Sequence, residues 1–311
     1  MGILIQFAFL IAGFVLLIKG ADWFVEGAAG MADKFGIPQL IIGLTIVAMG
    51  TSAPEAAVSI TSAVKGNAGI TVGNVLGSNI MNVLLILGVM AVIISVPVQK
   101  STFMYEIPYL IIVSSLFLFL GMDGIINRID GVILWVAFII YFIYLVFMAK
   151  KGRAQEGSES SGKEKPWWLL IVLTIIGMGM VMFGSDVTVN SASAIADEFG
   201  MDSRLIGLTI VAFGTSLPEL VTSVIAAKKG STDIAIGNII GSNLFNILFV
   251  AGTTGLITPV EFKADFIIDS VISIGAVILL MLCIIKGKKL TRPGGAFMLM
   301  AYIGYFVYLL L

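Results

Sequence analysis

The sequence predicts an all-α integral membrane protein: ten transmembrane helices built as two inverted five-helix repeats, with a broken helix in each repeat meeting at the centre. Three observations carry this. The 311 residues are 59% hydrophobic and 12% charged, with mean hydropathy +1.08, whereas a soluble domain is about a quarter charged. Apolar runs long enough to cross a bilayer follow one another along most of the chain. The second half then repeats the first at a fixed offset of 164 residues.

The spans fall near 3–28, 38–64, 70–96, 103–121, 129–149, 167–195, 204–227, 233–257, 264–286 and 294–311. The first has no basic residue ahead of its apolar run and its first charge is Lys19, so it reads as a retained span rather than a cleaved leader. Most connections are short. The longest, Lys150–Lys165, reads KKGRAQEGSESSGKEK, too polar to bury a core of its own, and is expected to be a hinge between halves.

Residues 1–149 form the first expected repeat, 150–165 the hinge and 166–311 the second repeat. Ile42–Glu55 aligns without a gap on Ile206–Glu219 at 12 of 14 positions. The correspondence continues through Asp22/Asp186, Gly73-Asn74/Gly237-Asn238, Gly77-Ser78-Asn79/Gly241-Ser242-Asn243 and Asn82/Asn246. Each copy holds five spans. Because five is odd, the second copy crosses in the opposite sense.

Loop charge sets the orientation. With the N-terminus outside, the cytoplasmic connections carry thirteen cations: Lys34, Lys100, Lys150, Lys151, Arg153, Lys163, Lys165, Lys228, Lys229, Lys286, Lys288, Lys289 and Arg292. The outer ones carry four: Lys65, Arg128, Arg204 and Lys263. The positive-inside rule then puts both termini outside and the 150–165 loop in the cytoplasm of a multi-pass cell-membrane protein.

The chemistry lies in a hexapeptide that occurs twice. Gly50-Thr51-Ser52-Ala53-Pro54-Glu55 returns as Gly214-Thr215-Ser216-Leu217-Pro218-Glu219. A carboxylate within a span costs roughly 2.5–3.5 kcal/mol on insertion scales. Each proline removes a helical donor and should break its helix near Gly50-Thr51 or Gly214-Thr215, freeing carbonyls beside the hydroxyls and the acid. Thr51 and Ser52 lie four and three residues before Glu55, so all three can face one way. Asn74, Ser78 and Asn82 recur every four residues in the next span, as do Asn238, Ser242 and Asn246. Brought together, these groups make an all-oxygen cage with two negative charges, which suits calcium and alkali cations.

Local readings compete with that one. Ser52-x-x-Glu55 and Ser216-x-x-Glu219 also fit capping boxes. Gly73-x-x-x-Gly77 and Gly237-x-x-x-Gly241 read as packing motifs. Asn79 and Asn243 sit off the Ser/Asn stripe and read as interhelical glue. Asp22 and Asp186, a matched pair without a hydroxyl cluster, read as structural or gating residues, and unmatched Asp269 receives no role.

The doubled G-T-S-x-P-E and G-S-N-x-x-N segments resemble the two alpha repeats of the cation/calcium exchanger superfamily, here over 43–88 and 207–252, and in particular a prokaryotic sodium/calcium exchanger. The resemblance implies calcium ligation by Glu55 and Glu219 with oxygens from Thr51 and Thr215. It implies sodium sites at Ser52, Ser78, Ser216 and Ser242, at the Ala48 and Ala212 carbonyls and around Asn82 and Asn246. It further implies that the long first and sixth spans slide past the remainder to alternate access. Some members, including potassium-dependent ones, carry Asp where this chain has Asn246, so no potassium requirement is expected. The 150–165 segment has no room for the calcium-sensing domains of animal members.

The function expected is an electrogenic antiport of Na⁺ against Ca²⁺, with a proton-driven exchanger of the same fold as the alternative. A cation channel fits duplicated broken helices less well. An intramembrane hydrolase would need two carboxylates with distinct acid and base roles, and these have matching surroundings. No enzymatic activity and no cofactor are expected. The partners are Ca²⁺, Na⁺ and the lipid bilayer. A net charge of −1 offers nothing to nucleic acid, and no obligate protein partner is evident. With no histidine and the single Cys283, the chain has neither the usual zinc ligands nor an intrachain disulfide.

Overall fold

The computed structural model describes residues 3–65, 69–155, 165–200, 212–285 and 287–310. They are almost wholly helical. In chain order, α1 is Ile3–Phe35, α2 Gln39–Thr51, α3 Ala53–Val64, α4 Ile70–Ile93, α5 Thr102–Gly121 and α6 Arg128–Gln155. Then come α7 Trp167–Glu198, α8 Ala212–Thr215, α9 Leu217–Lys228, α10 Thr232–Ile257, α11 Asp265–Ile284 and α12 Arg292–Leu310. Among the described residues, seven helices are long and apolar enough to cross a membrane, and the bent pair α2–α3 makes an eighth. The seventh expected span, 204–227, begins outside the described residues. α6 continues to Gln155, past Lys150 where the hinge is expected to begin; 156–164 lie outside the described residues.

Burial separates a centre from a periphery. The most apolar stretch of α10 is 94% buried and that of α4 72%, against 17% for α1 and α6. The two central helices carry the Asn/Ser stripes. Their polar groups are therefore placed where each must find a partner or a ligand.

Two short antiparallel ladders tie the halves together. Val96–Pro97 (β1) pairs with Lys289–Leu290 (β4), and Ile125–Ile126 (β2) pairs with Val260–Glu261 (β3). At the 164-residue offset, β1 corresponds to β3 and β2 to β4, so each ladder joins one half to the image of the other. The flanking bonds match as well: Val98 N–H donates to the Lys288 carbonyl (2.8 Å) and Phe262 N–H to that of Gly124 (2.9 Å). Gly124 and its counterpart Lys288 both have positive φ, +93° and +47°. β1 and β2 flank α5, a helix of 20 residues or about 30 Å. Since β2 pairs with β3, the counterparts β1 and β3 lie at opposite ends of the bundle.

The outer pair α1 and α7 runs antiparallel along a seam of small residues. A Cβ at Gly13 would come within 2.5 Å of Thr188 Oγ1, one at Gly20 within 2.8 Å of Val181 N, and one at Gly184 within 2.7 Å of Leu17 N. Only glycine permits that approach. A second seam sets α2 against α10, where a Cβ at Gly237 or Gly241 would lie 2.8 Å from the Leu40 carbonyl or 2.7 Å from that of Leu44. The Gly237/Gly241 motif is thus packing, as expected. Its partner motif is looser: Gly73 faces only the Phe266 ring and Gly77 has nothing within 4 Å.

Candidate ion-binding site

Each hexapeptide breaks its helix at serine, one residue beyond the expected place. Ser52 (φ −84°, ψ 7°) separates α2 from α3, which diverge by 51°, and Ser216 (φ −91°, ψ 4°) separates α8 from α9. The prolines then fall in the first turn of the new helices, where a missing donor is tolerated. Gly50 leaves room for α7: a Cβ there would lie 2.9 Å from Met178 Sδ.

Neither serine caps its helix with a side-chain bond, so the capping-box reading fails. The Ser52 hydroxyl instead donates to Oε1 of Glu219 at 2.7 Å, across 167 residues of chain. The hydroxyls of Thr51 and Ser242 lie against the same carboxyl group. Thr51 Oγ1 is 3.0 Å from Asn238 Oδ1 and, like Ser242 Oγ, 3.4 Å from the Ala48 carbonyl. Residues of the first hexapeptide therefore dress the carboxylate of the second.

The central stripe has two layers. Asn74 Nδ2 donates to Ser59 Oγ (2.9 Å) and to the Glu55 carbonyl (3.3 Å), and Asn238 Nδ2 donates to Ser223 Oγ (3.0 Å). Ser59 and Ser223, themselves counterparts, are positioning residues that the motif reading missed. Deeper, Asn79 and Asn243 exchange bonds: each side-chain amide donates to the other's backbone carbonyl, at 3.2 and 3.1 Å. Asn82 Nδ2 donates to Asn243 Oδ1 (3.0 Å) and Asn246 Nδ2 to Asn79 Oδ1 (3.3 Å). Wide π-helical turns begin at this level, Met81–Ile86 and Asn246–Ala251, a distortion frequent at functional sites. No residue pattern announces it.

Of the expected site residues, Glu55, Glu219, Thr51, Ser52, Ser216, Ser78, Ser242, Asn82 and Asn246 are all buried. Thr215 is half-buried. Ala212 begins α8, and its side chain lies outside the described residues. Among these expected site residues, five buried oxygens have no hydrogen-bond partner: Glu55 Oε2, Glu219 Oε2, Asn82 Oδ1, Asn246 Oδ1 and Ser216 Oγ. Leaving so many acceptors unpaired in one place is costly unless a cation or proton meets them. The donors are hard oxygens, and among the described residues no cluster of three or more His, Cys, Asp or Glu side chains could hold a metal. The site offers two carboxylates and neutral oxygens, a set for a hard, mobile cation.

Known proteins are similar to this chain in sequence and in fold. A protein of Alkalimonas amylolytica is 41% identical over 97% of this chain and 98% of its own. Sodium/calcium exchanger MaX1 of Methanosarcina acetivorans is 30% identical over 99% of both. A solved structure of the sodium-calcium exchanger NCX_Mj, 32% identical, superposes with a TM-score of 0.86 over 99% of this chain and 100% of that one. The profile of the sodium/calcium exchanger protein family matches residues 5–149 and, separately, 169–311, and the chain belongs to that family.

Proposed function

We propose that the protein is an electrogenic antiporter that exchanges Na⁺ for Ca²⁺ by alternating access, without a potassium requirement. The observation that carries this reading is the pairing of two buried carboxylates, each with an unpartnered oxygen, in a bundle core where the Oδ1 atoms of Asn82 and Asn246 are likewise buried and unpartnered. Two carboxylate charges balance one Ca²⁺. Glu55 and Glu219 hold calcium with Thr51 and Thr215. The hydroxyls of Ser52, Ser78, Ser216 and Ser242, the Ala48 and Ala212 carbonyls, and Asn82 and Asn246 serve sodium. The relatives named as sodium/calcium exchangers support the choice of ions.

The architecture proposed is ten spans in two inverted repeats, 1–149 and 166–311, joined by the 150–165 hinge. The crossed β-ladders support the inversion, because equivalent segments lie at opposite ends of α5. The helices α1 and α7 pack against each other along a glycine seam, which holds them together as a pair that can slide as a unit past the rest. Both termini face outward and 150–165 the cytoplasm, on the loop-charge argument.

Reconstitution tests the transport reading. Sodium-loaded liposomes should take up calcium with choline outside and no K⁺ present, with a rate that responds to membrane potential. Uptake driven by a proton gradient, but not by sodium, would favour the proton-coupled alternative; a strict K⁺ requirement would overturn the reading of Asn246. The orientation has its own measurement. Single cysteines replacing exposed Lys150 or Lys263, in a Cys283→Ser background, should react with impermeant maleimide from opposite sides. Labelling from one side would sink the inverted arrangement.

A further inference from the structure

Four charged residues form two sets under the internal repeat, and the structure treats the sets oppositely. Lys229 caps α9 at its C-terminus and Lys65 caps α3, 164 residues earlier. Asp22 on α1 and Asp186 on α7 are likewise counterparts. Lys229 Nζ lies 2.7 Å from Asp22 Oδ1, donates to the Asp22 carbonyl at 2.8 Å and reaches Glu26 Oε2 at 3.7 Å. Lys165 pairs with Glu26 from the start of α7. In the other set, Lys65 and Asp186 are both exposed and make no ion pair among the described residues.

Packing shows the same asymmetry. α1 lies along α9, whereas among the described residues α7 makes no comparable contact with α3. Leu17, Ala21, Val181 and Leu217 are buried together where α1 and α7 meet α9, with Leu220, Val221 and Ile225 of α9 against them. The counterparts of Leu217, Leu220, Val221 and Ile225 on α3 are Ala53, Ala56, Ala57 and Thr61. The α9 side thus has a bulky apolar seal, whereas α3 carries small residues at the equivalent positions, with little apolar bulk to make one.

Resting on the alternating-access reading above, we propose that Lys229–Asp22 and Lys65–Asp186 are the two alternately closed latches of the transport cycle. If the two repeats exchange conformations, the opposite-facing state follows by giving each residue the environment of its counterpart. That operation opens Lys229–Asp22 and closes Lys65–Asp186, and both latches keep a lysine and an aspartate. On the proposed orientation the closed latch is cytoplasmic and the open one extracellular. The two differ in strength, since Glu26, which reinforces Lys229, has Asn190 as its counterpart. The outer latch closes with a single carboxylate over a thinner apolar seal.

The test reads proximity, not transport. Lys65→Cys and Asp186→Cys are combined in the full-length chain with Cys283→Ser, and the pair is cross-linked with a short bifunctional maleimide in liposomes. The proposal expects a low yield that rises by up to about fivefold when Lys229→Gln is added, the range for a partly exposed ion pair. Asp22→Asn should move the yield the same way, and the swap Asp22→Lys with Lys229→Asp should return it towards the starting value. An unchanged yield, or no cross-link in any background, overturns the latch. Calcium flux through the unsubstituted protein, measured in parallel, separates the two readings. Intact flux with an unresponsive cross-link removes the latch alone, whereas a responsive cross-link without sodium-driven flux keeps the latch and removes the antiport.

Discussion

Glu55→Gln and Glu219→Gln should each abolish sodium-driven calcium uptake while leaving the protein folded and inserted. The amide preserves the size of the side chain and one acceptor oxygen, so in Glu219→Gln the Ser52 hydroxyl keeps its partner at the position of Oε1. What is lost is one of the two charges proposed to neutralise a dication, at a place where both carboxyl groups are at most 1% exposed. Removing one partner from a buried charge pair costs about 2–5 kcal/mol, because the other charge stays desolvated and unbalanced. At 1.4 kcal/mol per decade that is a loss of about thirtyfold to several thousandfold in calcium affinity. Calcium binding by titration calorimetry, beside membrane expression and detergent-state melting, separates a ligand from a structural residue. A variant that melts normally and transports at near wild-type rates would show that its carboxylate does not hold the cargo.

The repeat, and with it the pairing of the two hexapeptides, is legible because a fixed offset with no gap is a property of the letters alone. What a linear pattern cannot report is which group across the repeat receives each side chain. Ser52 illustrates this. Three residues before a glutamate and just ahead of a proline, it satisfies every local requirement of a helix cap, yet its hydroxyl goes to Glu219. Local and tertiary partners compete for one hydroxyl, and a buried carboxylate oxygen is the stronger acceptor. The helix break moved for a related reason. Proline needs its own nitrogen in the first turn of the following helix, which places the non-helical residue at serine and not at the glycine before it. Gly50 serves the neighbouring helix instead, by making room for Met178. The π-helical turns at Asn82 and Asn246 are not legible, because no residue pattern in either stretch distinguishes that winding from an ordinary α-helix. Asp22 is visible as half of a matched pair, but its partner Lys229 is not, because nothing local links a helix C-cap to a carboxylate on a helix more than a hundred residues distant.

Asn243 carries the second large effect expected. Its side chain spends both ends on the opposite repeat: Nδ2 donates to the Asn79 carbonyl and Oδ1 accepts from Asn82. The bond from Asn82 fixes which way that carboxamide faces. With Nδ2 committed, the oxygen of Asn82 is left without a partner, as is the corresponding oxygen of Asn246. In Asn243→Ala the Asn82 amide loses its acceptor in a region at most 1% exposed, and an unsatisfied buried donor costs about 1–3 kcal/mol. The carboxamide can recover a bond only by turning its nitrogen elsewhere, which presents a donor, in place of an acceptor, to an incoming cation. Ion affinity should therefore fall by about ten- to a hundredfold. Asn79→Ala should act in the same way through Asn246, whose Nδ2 donates to Asn79 Oδ1. A double-mutant cycle distinguishes this orienting role from general loosening of the bundle. Once Asn82→Ala has removed the oriented oxygen, adding Asn243→Ala should lower affinity no further, although melting temperature should still drop. Calcium and sodium titrations on the four proteins supply the cycle. If the two losses in affinity simply add, Asn243 acts on the site by some route other than Asn82, because independent effects sum whereas effects through one shared group do not.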